Sequence, residues 1–388
     1  MRAIYSFILS GIMLLAACNK EEYVISSAYD CDIAYDDSSA LHPKADDFRQ
    51  FVDEKVFQGF PGMLLLVKDS TGLWTGSGGM ADLYNEIEMR KCNISRIASI
   101  TKSFTATAIY QLQDEGKLKV DDLAAKYLDA DLVSKLDNLD ACTIRQLIEH
   151  TSGIYDYDSD LSYNLDGINH PDQVWSKEKS LSYAYDKPAL FQPGTEYSYC
   201  NTGYILLGMI VEAIEGKTVQ EVMQEKIFIP LQMQQTLFPK DYSHPEGMVA
   251  GYDNRHGDGN LINSGKYAFG YFTDGGMVTG VYDLFLYMKA LYADKDLIDG
   301  ASLQQMVTPS GYESTEPNAN IVAGGPVLWQ TPYGLAYTNS GGQYGYRSFM
   351  IYFPSSETYG VMLFNSSLIE DDELFYNAQE ELVQLLFN

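Results

Sequence analysis

A chain of 388 residues, 46% hydrophobic and 20% charged, has the length and composition of one large or two medium globular domains, and wholesale disorder is excluded. Its 53 Asp and Glu against 26 Lys and Arg give a net charge of −27, which repels phosphate backbones and removes nucleic acid from the expected partners. Thirty Tyr and 17 Phe supply material for aromatic-lined clefts, although most such amphipathic rings belong at core edges.

In chain order, Met1-Arg2 gives a positive start and residues 5–17 an apolar run too short to span a bilayer. It ends in Leu15-Ala16-Ala17-Cys18, which resembles the lipobox of bacterial lipoproteins. That resemblance predicts residues 1–17 as a signal peptide and Cys18 as the acylated first residue of the mature chain. An ordinary secretory leader is the alternative. Asn19-Lys20-Glu21-Glu22 is similar to the short acidic export tag of surface lipoproteins, and residues 18–44, polar and without periodicity, read as a tether. The expectation is an exported bacterial lipoprotein, periplasmic or at the cell surface, that meets the membrane only through its N-terminal lipid. Four further cysteines, Cys31, Cys92, Cys142 and Cys200, match no zinc spacing and are expected to be mostly free, buried thiols.

Phe48, Phe51, Val52, Lys55 and Val56 share a helical face, so a helix is predicted over 45–58. Residues 63–68 and 73–78 flank the turn Asp69-Ser70-Thr71-Gly72 and read as a β-hairpin. Strands are predicted at 334–341, 347–353 and 359–365, and a last helix from Leu374, Ala378, Leu382 and Leu385. Between them, roughly 103–300 shows mainly helical patterns and long polar loops. Phe104, Ala108 and Leu112 mark one helix, stopped by Gly116, and Ile205, Met209, Ile210 and Ala213 another. Strands at both ends with helices between predict an α+β architecture. In it, one antiparallel sheet built from both termini is flanked by helices and carries an inserted helical subdomain, with the cleft between them as the natural site.

Five His, at 42, 150, 170, 244 and 256, form no H-E-x-x-H or other close pair, so neither a metal nor a metal-dependent hydrolase is expected. There is no G-x-S-x-G elbow, P-loop or G-x-G-x-x-G after a strand, so no organic cofactor is expected. What remains is Ser99-Ile100-Thr101-Lys102. Three residues are nearly one helical turn, so hydroxyl and amine would share a face. A serine hydroxyl is a poor nucleophile until a base takes its proton, and a desolvated lysine can be that base. Ser176-Lys177-Glu178-Lys179 also fits the pattern but lies in a solvated stretch. Tyr199-Cys200-Asn201 follows the Pro193-Gly194 turn and precedes an apolar helix, which sets it apart from Tyr252-x-Asn254 and Tyr337-x-Asn339. A phenol beside an ammonium can relay protons.

With Leu147-Ile148-Glu149-His150-Thr151-Ser152-Gly153-Ile154, Asp274-Gly275-Gly276-Met277 and Asn339-Ser340-Gly341-Gly342 followed by Tyr346-Arg347, these motifs make residues 45–388 resemble the serine β-lactamase-related family. That group includes class C β-lactamases, D-alanyl-D-alanine carboxypeptidases, D-aminopeptidases, esterases and some acyltransferases. The resemblance implies a β-lactamase/transpeptidase-like fold with Ser99 as nucleophile, Lys102 as its proton partner, Tyr199 as general acid/base and Asn201 as a substrate-orienting amide. His150 is then expected to stabilise its turn.

The sequence departs from the family at Asn339, where a Lys or His is common. A neutral residue there weakens carboxylate recognition and argues against β-lactam and D-Ala-D-Ala substrates. Gly341 and Gly342 would let substrate lie against the strand, with the Ser99 and Gly342 amides as the oxyanion hole. Arg347 either compensates from inside the cleft or sits in a surface salt bridge. Tyr155, Tyr157, Tyr163, Tyr183 and Tyr185 suggest an aromatic lid over the cleft. The predicted function is a serine hydrolase working through an acyl-enzyme on a small ester or amide, with water or an alcohol as acceptor. The alternatives are an acyltransferase for a bulky apolar alcohol, a carboxypeptidase or β-lactamase, and a catalytically silent cell-wall or partner binder.

Overall fold

The computed structural model describes residues 39–388 apart from 171–172, 174, 240–243, 255–259, 265–271, 316 and 368–371. The predicted leader, Cys18, the export tag, Cys31 and most of the tether lie outside the described residues.

One eight-stranded antiparallel sheet organises the chain. Its strands in sequence order are β1 (Gly62–Asp69), β2 (Gly72–Asp82), β3 (Ile87–Glu88), β4 (Ile321–Val322), β5 (Val327–Thr331), β6 (Gly334–Gln343), β7 (Tyr346–Phe353) and β8 (Thr358–Phe364). Their spatial order is β3-β2-β1-β8-β7-β6-β5-β4, so the N-terminal hairpin and the C-terminal strands join where β1 pairs β8, from Met63↔Phe364 to Lys68↔Tyr359. This is the sheet from both chain ends that the sequence predicts.

The β1 run Met63–Val67 is apolar on both faces because both faces are covered. Met63, Leu65 and Val67 point toward helices α1 (Ala45–Phe57) and α4 (Asp372–Phe387), where Phe48, Val52 and Leu382 complete a core. Leu64 and Leu66 point the other way, into the larger core shared with the helical part of the chain. Lys55, buried on the apolar face of α1, is not a packing anomaly: it forms an ion pair with Glu381 of α4 and donates to Gln58.

Helix α2 (Thr101–Asp114) crosses behind the sheet with twelve of its fourteen residues buried, and α3 (Asn201–Glu215) packs on it. The other connecting segments fold as short helices and two-residue strand pairs. Cys92 is disulfide-bonded, which corrects the expectation for that thiol; Cys142 and Cys200 are free and buried. The segment predicted as an aromatic lid is not a loop. It carries helices at Leu161–Asn169 and Lys177–Leu181, started by Asp160 and Ser176, whose side chains accept from the amides of Ser162 and Lys179. Tyr163 packs edge-on against Trp175 and Tyr183, so these rings form a small core rather than a cover. Of the five tyrosines, Tyr157 and Tyr163 reach the cleft as wall residues.

Candidate active site

Ser99 lies in a single 3-10 turn, Ala98–Ile100, that runs directly into α2. Three hydrogen bonds pin that turn. Met277 accepts from the Ile97 amide at 3.1 Å and donates to Thr101 Oγ1 at 3.1 Å, and Ser348 Oγ on β7 donates to the Ile97 carbonyl at 2.7 Å. Ala98, just before Ser99, has φ of +45°, a left-handed conformation that costs an L-residue of order 1–2 kcal/mol. The surrounding contacts hold it there.

Lys102 sits one turn along α2, as the three-residue spacing predicts. Its Nζ donates to Ser99 Oγ at 3.2 Å, to Asn201 Oδ1 at 2.8 Å and to the Asp274 carbonyl at 2.5 Å. The side chain is buried, and loss of hydration pushes its pKa below the usual lysine range. The carboxylates of Asp274, Asp156 and Asp158 work in the opposite sense and moderate that shift.

Tyr199 arrives from the residues that lead into α3. Its hydroxyl lies 2.8 Å from Ser99 Oγ, and its ring stands 4.8 Å from Lys102 Nζ. His150 sets this approach. Its ring stacks on Tyr199 with centroids 4.4 Å apart, its Nδ1 accepts from the Cys200 amide at 3.1 Å, and its carbonyl accepts from Ser198. Burial, with Lys102 nearby, lowers the imidazole pKa to about 3, so the ring is neutral and acts by packing and accepting. Cys200 donates to the Ile154 carbonyl, and burial keeps its thiol protonated. The rival tyrosines stay away: Tyr252 donates to Asp82, and Tyr337 packs on Tyr292. The rival serine, Ser176, caps a helix.

Asn201 uses both ends of its amide within the protein. Oδ1 accepts from Lys102, and Nδ2 donates to Asp156 Oδ2 at 3.1 Å, leaving one N–H for a ligand. Asp156 also accepts from the Asn201 and Thr202 amides at the start of α3, and burial raises its carboxyl pKa to about 7. Sequence reasoning missed Asp156. Nothing in Tyr155-Asp156-Tyr157-Asp158 marks one carboxylate over its neighbours until the chain folds back on α3.

On the other side of Ser99, Gly341 and Gly342 of β6 pass close to the 3-10 turn that carries it. A methyl at Gly341 would strike the Ile97 carbonyl and Ser348 Oγ and come to 3.0 Å of the Ser99 amide, so this approach needs glycine. Asn339 turns its Nδ2 to the Gly325 carbonyl at 3.1 Å and leaves Oδ1 without a hydrogen bond. It is a neutral group at the place where the family resemblance implies a cation. Arg347 lines both cavities beside Ser99, with its guanidinium over Gly342.

Ser99 stands between two cavities. One, of about 360 Å³, is lined by Tyr199, Tyr197, Asn339, Ser340, Phe375 and Tyr376 among others. The second, of about 520 Å³, is lined by Asn201, Tyr157, Asp158, Asp253, Asp274 and Gln343 among others. No group of three His, Cys, Asp or Glu among the described residues is placed to hold a metal ion. The arrangement holds a hydroxyl, an amine of lowered basicity and a phenol at bonding distance, with main-chain amides from the turn and from β6 beside them. That set can move a proton off Ser99 and deliver one to a leaving group.

Comparison with known proteins follows the same lines. The family model described as Beta-lactamase matches residues 48–383. Penicillin-binding protein 4* of Bacillus subtilis is 29% identical over 308 residues, 75% of this chain and 65% of that protein. A D-aminopeptidase of Cereibacter sphaeroides is 27% identical over 318 residues, 80% of this chain and 57% of that protein. The chain thus spans less than two thirds of these relatives. Among solved structures, a D-stereospecific amidohydrolase from Streptomyces superposes with a TM-score of 0.74 at 26% identity, covering 84% of this chain and 95% of that one.

Proposed function

The chain belongs to the beta-lactamase family, and on that premise we propose that it is a serine hydrolase that opens an amide or peptide bond through an acyl-enzyme on Ser99. The observation that supports this reading most directly is the placement of Ser99 Oγ 3.2 Å from Lys102 Nζ and 2.8 Å from the Tyr199 hydroxyl. Neutral Lys102 takes the Ser99 proton as Oγ attacks the carbonyl carbon. The oxyanion rests on the Ser99 and Gly342 amides. The Tyr199 hydroxyl, recharged from the Lys102 ammonium, gives its proton to the leaving nitrogen as the C–N bond breaks. Water then adds to the ester with the same groups acting in reverse, and the carboxylic acid leaves with Ser99 restored.

Amide rather than carboxylate-anchored β-lactam chemistry suits the neutral Asn339, whose Nδ2 is already committed to Gly325. It also suits the names of the relatives, a D-aminopeptidase and a D-stereospecific amidohydrolase.

The test is covalent capture. A fluorophosphonate probe should add once per chain, at Ser99, as read by mass spectrometry of peptides, and Ser99→Ala should abolish the adduct together with turnover of p-nitroanilides and p-nitrophenyl esters. A folded protein that takes no adduct and turns over no member of that panel would be a binder, not a hydrolase.

A further inference from the structure

A neutral lysine carries two N–H bonds and one lone pair, so the three groups around Lys102 Nζ cannot all accept from it at once. They are the Asp274 main-chain carbonyl at 2.5 Å, Asn201 Oδ1 at 2.8 Å and Ser99 Oγ at 3.2 Å. A carbonyl oxygen only accepts. When both carbonyls take an N–H, the lone pair is left for the Ser99 hydroxyl, which is the arrangement a base needs. The Asp274 carbonyl is fixed by its main chain. The Asn201 amide is not: turned over, it would present its NH2 to Lys102, occupy the lone pair and leave Ser99 without a base.

Asp156 decides which way that amide lies. Its Oδ1 accepts from the Asn201 and Thr202 main-chain amides at 2.9 and 3.3 Å, and its Oδ2 accepts from Asn201 Nδ2 at 3.1 Å. A carboxylate only accepts, so Asn201 must offer it an N–H and turn Oδ1 to Lys102. Burial raises the Asp156 carboxyl only to about 7, which leaves it ionised at the alkaline pH where Lys102 is neutral. The main chain on either side of Asp156 is held as well. Thr202, itself buried, donates from Oγ1 to the Tyr155 carbonyl at 2.9 Å and accepts there from the Tyr157 amide at 3.0 Å.

We propose that Asp156 is a positioning residue for the base: it locks the Asn201 amide so that the Lys102 lone pair points at Ser99. Asp156 has this role within the acyl-enzyme reading, on which it rests, and it meets the reacting atoms only through Asn201 and Lys102. The order of its variants is then inverted. In Asp156→Asn the side-chain oxygen stays on the two main-chain amides, which outnumber the single Asn201 side-chain contact. Its NH2 therefore meets Asn201 and turns that amide over onto the lone pair. In Asp156→Ala nothing forces the turn, and Asn201 keeps Oδ1 on Lys102, although the two main-chain amides at the start of α3 lose their acceptor.

The experiment measures the rate of fluorophosphonate labelling at Ser99, kcat on p-nitroanilides and p-nitrophenyl esters, and thermal melting. It uses the full chain, Asp156→Asn and Asp156→Ala, at an alkaline pH on the plateau of the unaltered chain's rate profile. Asp156→Asn should melt close to the unaltered chain and yet lose about 100-fold in labelling and in kcat, whereas Asp156→Ala should melt lower and lose about tenfold or less. A residue that served only to hold the start of α3 would give the reverse order in rate, with the truncation worse than the isostere. Labelling and turnover by Asp156→Asn within about threefold of the unaltered chain would overturn the proposal, and so would a folded alanine variant that is the slower of the two. If Asp156→Ala does not fold, the asparagine variant decides alone: slow labelling at a near-normal melting temperature upholds the role, and normal labelling ends it. No labelling and no turnover in the unaltered chain would remove the hydrolase reading itself.

Discussion

In the proposed mechanism Lys102 is the residue on which the chemistry turns, because a base that is always protonated cannot take a proton. Burial lowers its pKa, and three nearby carboxylates limit the fall. Activity should therefore rise with pH as the ammonium is lost and level off above a pKa that lies below the ordinary lysine range. Lys102→Arg separates charge from basicity. It keeps the cation beside Asn201 and Asp274, but a guanidinium does not deprotonate at any working pH. The expected loss in kcat/KM is about 10³-fold or more, with slower labelling of Ser99 and no rising limb in the pH profile. An arginine variant that kept near-normal rates would show that Tyr199 alone serves as base. The meeting of Ser99, Lys102 and Tyr199 was readable from sequence because Ser99 and Lys102 are one helical turn apart, and because Tyr199 stands between a Pro-Gly turn and an apolar helix. Asp156 was not. Its significance comes from a partner 45 residues away in sequence, Asn201.

The elements that were legible are those whose pattern is long and whose faces differ. The hairpin of β1 and β2, the β6–β8 meander, α1 and α4 all fall within a few residues of their predicted spans. The two-residue strands β3 and β4 carry too few positions for any period to show. The mistaken lid is more instructive. Asp160 and Ser176 are ordinary helix-starting residues, and the signal for two short helices was present in the chain, hidden by the count of tyrosines. The element contact that matters most for the proposed chemistry is β6 against the turn that carries Ser99. Gly341→Ala places a methyl against the Ile97 carbonyl and Ser348 Oγ, so strand and turn must separate. The stability cost should be about 1–3 kcal/mol, as for an overpacked core. The rate should fall further, by about 100-fold, because shifting β6 also shifts the Gly342 amide that faces the oxyanion. Thermal melts and kcat on one preparation distinguish the two losses. Equal small losses in both would mean that β6 does not build the oxyanion hole.

At the scale of the molecule, buried acids and buried bases pull the stability of this acidic protein in opposite directions with pH. Burial raises the carboxyls of Glu149 and Asp283 to about 6 and Asp156 to about 7, and raises that of Asp274 as well. Between the ordinary carboxylate range, near 4, and those raised values, the folded state holds protons that the unfolded chain has released, so these groups lose stability as pH rises through their folded pKa values. His150 and His244 do the reverse. Burial lowers them to about 3 and about 4, so the unfolded chain gains their protons first, and their stabilisation, complete above the ordinary histidine value near 6.5, drains away as pH falls. Near pH 5 three such carboxyls, Glu149, Asp156 and Asp283, outnumber the two imidazoles, a net difference of roughly one proton, worth about 1.4 kcal/mol per pH unit. A net charge of −27 adds to this, since acid relieves self-repulsion. The midpoint of thermal unfolding should thus rise by about 2–4 °C from pH 8 to pH 5.5. It should fall again below pH 4, where Asp122, Asp160 and Asp166 lose the partners that hold their pKa values low. The proposed mechanism asks for the opposite, because Lys102 must be neutral to act as base. Maximum stability and maximum rate are therefore expected on different sides of neutrality, and melting and rate profiles measured in one buffer series will show it. A melting temperature that drops steadily from pH 8 to pH 5.5 would mean that the imidazoles outweigh the buried acids, and that Asp156 stays ionised beside Asn201.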